Sequence, residues 1–214
     1  MPTSNVEHPK TSNSFRRQYL TFGRIDPTPL TLHDFVHPLS YIASPNVFIS
    51  AAAYSMIFLF GSIMTTFEIP QIFPEKFGLD TQQIGLQFIG IILGTVIGEQ
   101  FGGLASDKWM WRREKKNVTS GGLPPKPEFR LWLSYAGHVL TICGLVVFLV
   151  QTDRASDEWN VTPVVGAAIA AAGNQIVTTV MITYAVDCHP QDAAAIGVFI
   201  AVVRQLWGFI GPFW

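Results

Sequence analysis

The chain has 214 residues, 49 % of them hydrophobic and only 14 % charged, with 14 Lys+Arg against 15 Asp+Glu and a net charge of -1. Soluble domains carry about a quarter charged residues, so charge is withheld here from long stretches, and the near-neutral balance excludes nucleic acid as a partner. Two cysteines, Cys143 and Cys188, are too few for a disulfide scaffold.

The first 46 residues are polar, and no apolar core follows the initiator methionine, which argues against a signal peptide. Glu7, Asp26 and Asp34 argue against an organellar transit peptide. This segment, 1–46, reads as a cytosolic, linker-like stretch ahead of a transmembrane helical domain at 47–214. Five apolar blocks follow, at 47–67, 84–106, 131–151, 162–186 and 193–214. Each reaches the ~20 residues that cross a ~30 Å hydrocarbon core as a helix. Inside them the only charges are Glu99 and Arg204. The expected fold is an all-α membrane protein with five transmembrane helices in the lipid bilayer.

The flanks carry helix punctuation. Pro70 and Pro74 are expected to end the first span, and Thr162 with Pro163 to open the fourth as N-cap and first-turn proline. Trp109, Trp111, Trp132, Trp159 and Trp214 fall at predicted membrane–water interfaces. Asn117-Val118-Thr119 and Asn160-Val161-Thr162 match the glycosylation pattern, but the first lies on the expected cytosolic side and the second abuts the membrane, so neither is expected to be modified.

Lys10, Arg16, Arg17 and Arg24 precede the first span, and Lys108, Arg112, Arg113, Lys115, Lys116, Lys126 and Arg130 lie between the second and third. The loops on the other side hold only Lys76 and Arg154. The positive-inside rule therefore puts the amino terminus in the cytosol. Five spans from that start leave Trp214 at the outer side with no polar tail, which suggests an unfinished bundle.

Within the second span Gly90, Gly94, Gly98 and Gly102 recur every four residues and lay a nearly bare stripe along one helix face, suited to close helix packing or to a sliding contact. Arg204, about mid-membrane, and Glu99, about seven residues from the cytosolic end of its span, each need something to offset the cost of charge at depth, ~2.5 to 3.5 kcal/mol on insertion scales. In the long fourth span Gly173, Asn174 and Gln175 sit near the centre, where a loosened helix would present amides to a transport pathway; an interhelical hydrogen bond is the competing reading. His138 stands alone in the third span and reads as a buried hydrogen-bonding histidine. Asp187, Cys188, His189 and Asp192 crowd one turn, but Pro190 and the lack of ligand spacing favour a plain helix-to-helix turn, and no metal is expected. No nucleotide, zinc-hydrolase or nucleophile-elbow motif occurs in the sequence, so an enzyme is not expected.

Gly103-Leu104-Ala105-Ser106-Asp107-Lys108-Trp109, followed by Arg112 and Arg113, resembles the signature loop of the major facilitator superfamily: Gly103, Asp107 and Lys108 match, while Trp109 stands where a second glycine is usual and the Arg pair is displaced. Trp207-Gly208-Phe209-Ile210-Gly211-Pro212 looks like the glycine–proline pattern of antiporters, and the wording of the spans is similar to fungal members. The resemblance covers nearly the whole chain. It implies a partial carboxy-terminal half, helices seven to eleven of a twelve-helix carrier, whose partner would be the missing amino-terminal half. By that analogy the first and fourth spans face a central cavity, the second and fifth flank it, and the third faces lipid. Asn174 and Gln175 then become substrate-side residues, and Asp107 braces the two halves with Arg112 or Arg113 as partner. Glu99 and Arg204, on opposite flanks, address the other half, or for Glu99 the cavity water, rather than each other.

The expected function is transport of a small organic solute by alternating access, as proton-coupled export with no cofactor beyond the proton gradient, from a multi-pass position in the plasma membrane. The alternatives are a non-transporting fragment acting as adaptor, and a membrane-embedded enzyme using His138 and Glu99.

Overall fold

The computed structural model describes residues 32–119, 121, 126–155 and 159–213. Most of the predicted linker-like segment and Trp214 lie outside them. The helical bundle is built from the unit that begins at Val36. Among the described residues every regular element is helical, and five helices are long and apolar enough to cross a membrane: Pro45–Phe77, Thr81–Asn117, Pro127–Arg154, Thr162–Cys188 and Pro190–Ile210. These are the first to fifth spans below.

The first span departs most from expectation. It runs on through Pro70 and Pro74 and stops at Gly78, whose left-handed backbone (φ 63°) turns the chain while its N–H bonds back to the Pro74 carbonyl. Membrane helices tolerate interior proline because neighbours can satisfy the freed carbonyls. Upstream, Leu59–Met64 form a π-turn, and the Thr65 hydroxyl donates to the Phe60 carbonyl at 3.3 Å. One consequence is that Glu68, expected just outside the membrane, lies within the first span and is half-buried.

Asp80 starts the second span with a reciprocal cap. Its carboxylate accepts from Thr81 N–H at 2.8 Å, and its own N–H donates to Gln83 Oε1 at 3.0 Å. The helix then runs 39 residues, Thr81–Thr119, so the predicted loop after residue 106 is helical. Nothing in 107–117 breaks a helix: the segment has neither Gly nor Pro, and its Lys, Arg and Glu residues are good helix formers. In the fourth span Thr162 is the first helical residue rather than the N-cap; Asn160 Oδ1 accepts from both its N–H (3.0 Å) and its hydroxyl (2.8 Å). The fifth span ends at Ile210, and Gly211–Phe213 tighten into a 3₁₀ turn.

The fourth span is the centre of the bundle. The second and third spans pack along it on two sides, the first span touches a further face, and the fifth packs on the first. The second and fifth therefore sit apart, with the fourth and first between them. Bare backbone makes the inner contacts possible. A Cβ at Gly94 would fall 2.1 Å from the Ala168 carbonyl oxygen, and one at Gly98 2.3 Å from that of Ala172. On the other side, Gly144 lies against Ala170 and Gly166, and Gly173 against Thr141 and Gly137. Lipid gives helices no hydrophobic reason to associate, so this close approach, with its dispersion contacts, holds them together.

Candidate functional site

Three polar clusters interrupt the apolar bundle. The first is built on Arg204, one face of the fifth span. Its Nη1 donates to the Tyr54 hydroxyl at 3.2 Å, and its Cζ lies 4.9 Å from the centroid of the Phe58 ring, one turn further along the first span. Tyr54 is buried and its ring neighbours that of Phe58 at 6.0 Å. The Arg204 Nε is buried with no hydrogen-bond partner, and no carboxylate pairs with this guanidinium among the described residues. Arg204 thus turns toward the first span rather than solely to an absent partner. The cation rests on aromatic faces. Glu99 is exposed on the second span and forms no pair with it.

The second cluster joins three spans at the basic end. Arg130, at the entrance to the third span, donates from Nη1 to Ser106 Oγ (2.8 Å) and to Asp107 Oδ1 (3.1 Å) on the second span. Its Nε lies 2.9 Å from Asp187 Oδ2 at the end of the fourth, a charge contact rather than an aligned hydrogen bond. The planar fork of an arginine suits such a three-way tie. Asp107 is therefore held by Arg130, not by Arg112 or Arg113. Arg113 instead lies over the Phe129 ring at 5.0 Å, and Arg112 is exposed. Arg130 sits 23 residues beyond Asp107; only its placement just ahead of an apolar block marks it in the sequence.

The third cluster is at mid-bundle. Asn174 is buried, its Oδ1 without a partner, where Gly61 of the π-turn meets Thr141 of the third span. A Cβ at Gly61 would be 2.9 Å from Thr141 Cγ2 and 3.3 Å from Asn174 Cβ. The helix is unbroken across Gly173, Asn174 and Gln175: Gly173 admits the third span instead of loosening its own. Gln175 is half-buried beside it, and its carbonyl accepts from Thr179.

The other predicted residues fall as follows. Gly90 and Gly102 extend the contact of Gly94 and Gly98 with the fourth span, while Gly103 meets nothing. Gly208 and Gly211 bring the fifth span against Ile63 and Leu59 of the π-turn; Pro212 lies in the closing 3₁₀ turn. Lys108 is exposed. His138 Nδ1 donates to the Ser134 carbonyl at 2.7 Å. In the turn after the fourth span, Asp187 is taken by Arg130. Burial, with the Asp192 carboxylate beside it, pushes the Tyr41 hydroxyl above the usual tyrosine range. No group of three or more His, Cys, Asp or Glu able to hold a metal occurs among the described residues. At the opposite end from Arg130, Lys76 Nζ donates to the carbonyls of Thr152 and of Asp153 (2.8 Å), capping the third span.

Comparison with known proteins gives a consistent pattern. The sequence profile of the Major Facilitator Superfamily matches residues 4–212. The MFS-type transporter penM of Penicillium rubens is 26 % identical over 204 residues, 95 % of this chain and 38 % of that protein. The efflux pump vrtL of Penicillium aethiopicum is 30 % identical over 182 residues, 85 % of this chain and 35 % of the pump. The efflux pump atB of Aspergillus terreus is 32 % identical over 133 residues, 58 % of this chain and 26 % of the pump. The chain thus spans less than half the length of these curated relatives. No solved structure matches it.

Proposed function

The chain belongs to the Major Facilitator Superfamily, and from that premise we propose that it is part of a carrier exporting a small organic solute by alternating access. The family match over 4–212 carries this reading, and the efflux-pump names of two relatives supply the direction. The chain would supply one flank of the cavity and an amino-terminal half the other, with the basic end in the cytosol and the whole in the plasma membrane. Transport needs a polar feature that apolar packing would otherwise reject, and Arg204 is the one we assign. A guanidinium with no carboxylate partner among the described residues, at the apolar centre of a span, is poised to receive a carboxylate or an electron-rich solute group.

Arginine cannot release a proton in a protein, so proton coupling would fall to a carboxylate within the apolar stretches, Glu68 or Glu99. The Asp107–Arg130–Asp187 tie would hold the second, third and fourth spans together in one access state. The test is flux through vesicles carrying the complete reading-frame product, with and without a pH gradient, for a panel of small amphiphilic solutes. Gradient-dependent efflux is expected, and Arg204→Ala should abolish it while insertion persists. No flux of any solute in either condition would overturn the carrier reading; unchanged flux in Arg204→Ala would overturn the role of that residue alone.

A further inference from the structure

The 39-residue helix of the second span is about 58 Å long at 1.5 Å per residue, far more than a ~30 Å hydrocarbon core. Its last turns therefore stand at and beyond the membrane surface. There the helix, with Phe129, forms an open cleft of about 560 Å³ lined by Lys108, Arg112, Arg113 and Lys116 over a floor of Trp109, Ala105 and Phe129. No acidic side chain among the described residues lines it. Asp107, next to Lys108 in sequence, is turned to Arg130, and Glu114 and Glu128, next to Arg113 and Phe129, are not among the lining residues. Lys108 and Arg112 stand four residues apart, a like-charge spacing that costs helix stability unless an anion lies between them.

Toward the membrane the same helix face continues with Ala105 and then Phe101, which is 67 % exposed. The stripe is thus apolar where acyl chains lie and cationic where headgroups lie. Trp109, exposed on that face, packs its ring at 5.9 Å from Phe129, and the Arg113 guanidinium covers the other ring at 5.0 Å. Exposed Trp111 and Trp132 mark the same headgroup depth. A soluble polyanion would have no use for the apolar half of this stripe. We propose that the cleft is a binding site for an anionic phospholipid, its phosphate held by Lys108, Arg112, Arg113 and Lys116 and its chain laid along Ala105 and Phe101. The site depends on membrane insertion, not on solute or coupling.

The experiment is native mass spectrometry of the full chain released from mixed micelles of phosphatidylcholine with either phosphatidylserine or a phosphatidylinositol phosphate. The folded protein is expected to retain the anionic lipids in preference to phosphatidylcholine. Arg112→Gln with Arg113→Gln should reduce that retention roughly 25-fold, about fivefold for each charge removed near a membrane surface. Arg112→Lys should keep most of it. Lys115→Gln removes a charge from the same turn but outside the cleft, where its ammonium lies 5.4 Å from the Trp111 ring, and should change retention little.

Equal retention of phosphatidylcholine by the unaltered chain would overturn the proposal whatever the variants do. So would a Lys115→Gln loss as large as that of a cleft arginine, which would mean diffuse attraction. Full displacement of the lipid by free inositol phosphate would show that a soluble phosphate suffices, and an acidic protein segment that displaces it likewise would make the cleft a protein contact; either overturns the lipid assignment.

Discussion

The second, third and fourth spans meet backbone to backbone, whereas the first and fifth meet through side chains. Gly94 and Gly98 face the carbonyls of Ala168 and Ala172, and Gly144 and Gly166 face one another's turns, so no side chain separates these helices. Across the first and fifth spans, Leu59 and Ile63 reach over to Gly211 and Gly208, and Arg204 reaches over to Tyr54. Contacts of bare backbone have one good distance, while long side chains can change rotamer as helices shift. The π-turn at Leu59–Met64 sits on the side-chain-mediated face, where an irregular turn can absorb a change of helix register. One part of the bundle is thus built as a fixed block and the other as an adjustable joint.

The sharpest way to break that contrast is to put a side chain into the fixed block. Gly98→Leu drives a Cβ to 2.3 Å from a main-chain oxygen that cannot rotate away, and should cost at least about 3 kcal/mol by overpacking. Thermal unfolding in detergent should show early loss of monodisperse protein. Gly85 lies in the same helix, and a methyl placed on it would meet nothing within 4 Å, so Gly85→Ala should be neutral or stabilising by up to about 1 kcal/mol through helix propensity. If both variants behave alike, the glycines are not what holds the second and fourth spans.

Arg130→Ala tests whether the fixed block also depends on its polar tie. The Arg130 side chain is 14 % exposed but that of Asp107 is 77 % exposed, so water compensates one partner and the expected loss is about 1 to 2 kcal/mol rather than that of a fully buried pair. Arg130→Lys should recover only part, because a single ammonium cannot serve Ser106, Asp107 and Asp187 together. Added salt should narrow the gap between the unaltered chain and Arg130→Ala. A melting temperature unmoved by Arg130→Ala would leave the glycine contacts as the sole fastening.

Residue pattern made some of this legible and left the rest hidden for physical reasons. Long apolar blocks holding only Glu99 and Arg204 as charges made the five spans legible, since membrane insertion is decided by composition along a single helix. Gly103, Asp107 and Lys108 with the Trp207–Pro212 ending pointed to the family that the profile over 4–212 establishes. The four-residue glycine repeat of the second span stood out, but Gly137 with Gly144 and Gly166 with Gly173 are spaced seven apart and show as a stripe only once the two helices face each other. Pro70 and Pro74 misled because proline stops helices in water but not among helices able to satisfy the exposed carbonyls. Arg130 could not be assigned to Asp107 from spacing: the tie is tertiary, and Arg112 and Arg113 lay nearer in sequence.

The smallest effect belongs to Lys76, which bridges the two kinds of packing. It extends from the last turn of the first span to the terminal carbonyls of the third at Thr152 and Asp153, so the adjustable helix is pinned to the fixed block at the end far from Arg130. Lys76→Met keeps the apolar stem and removes the cation from the helix terminus, at an expected cost of about 0.5 to 1 kcal/mol. Global melting should hardly register it. Hydrogen exchange at the end of the third span, around residues 152–154, is the sensitive readout, and it should rise there while the glycine-packed centre stays protected. Faster exchange spreading into Gly137 and Gly144 would mean that the third span is held from its end rather than along its length.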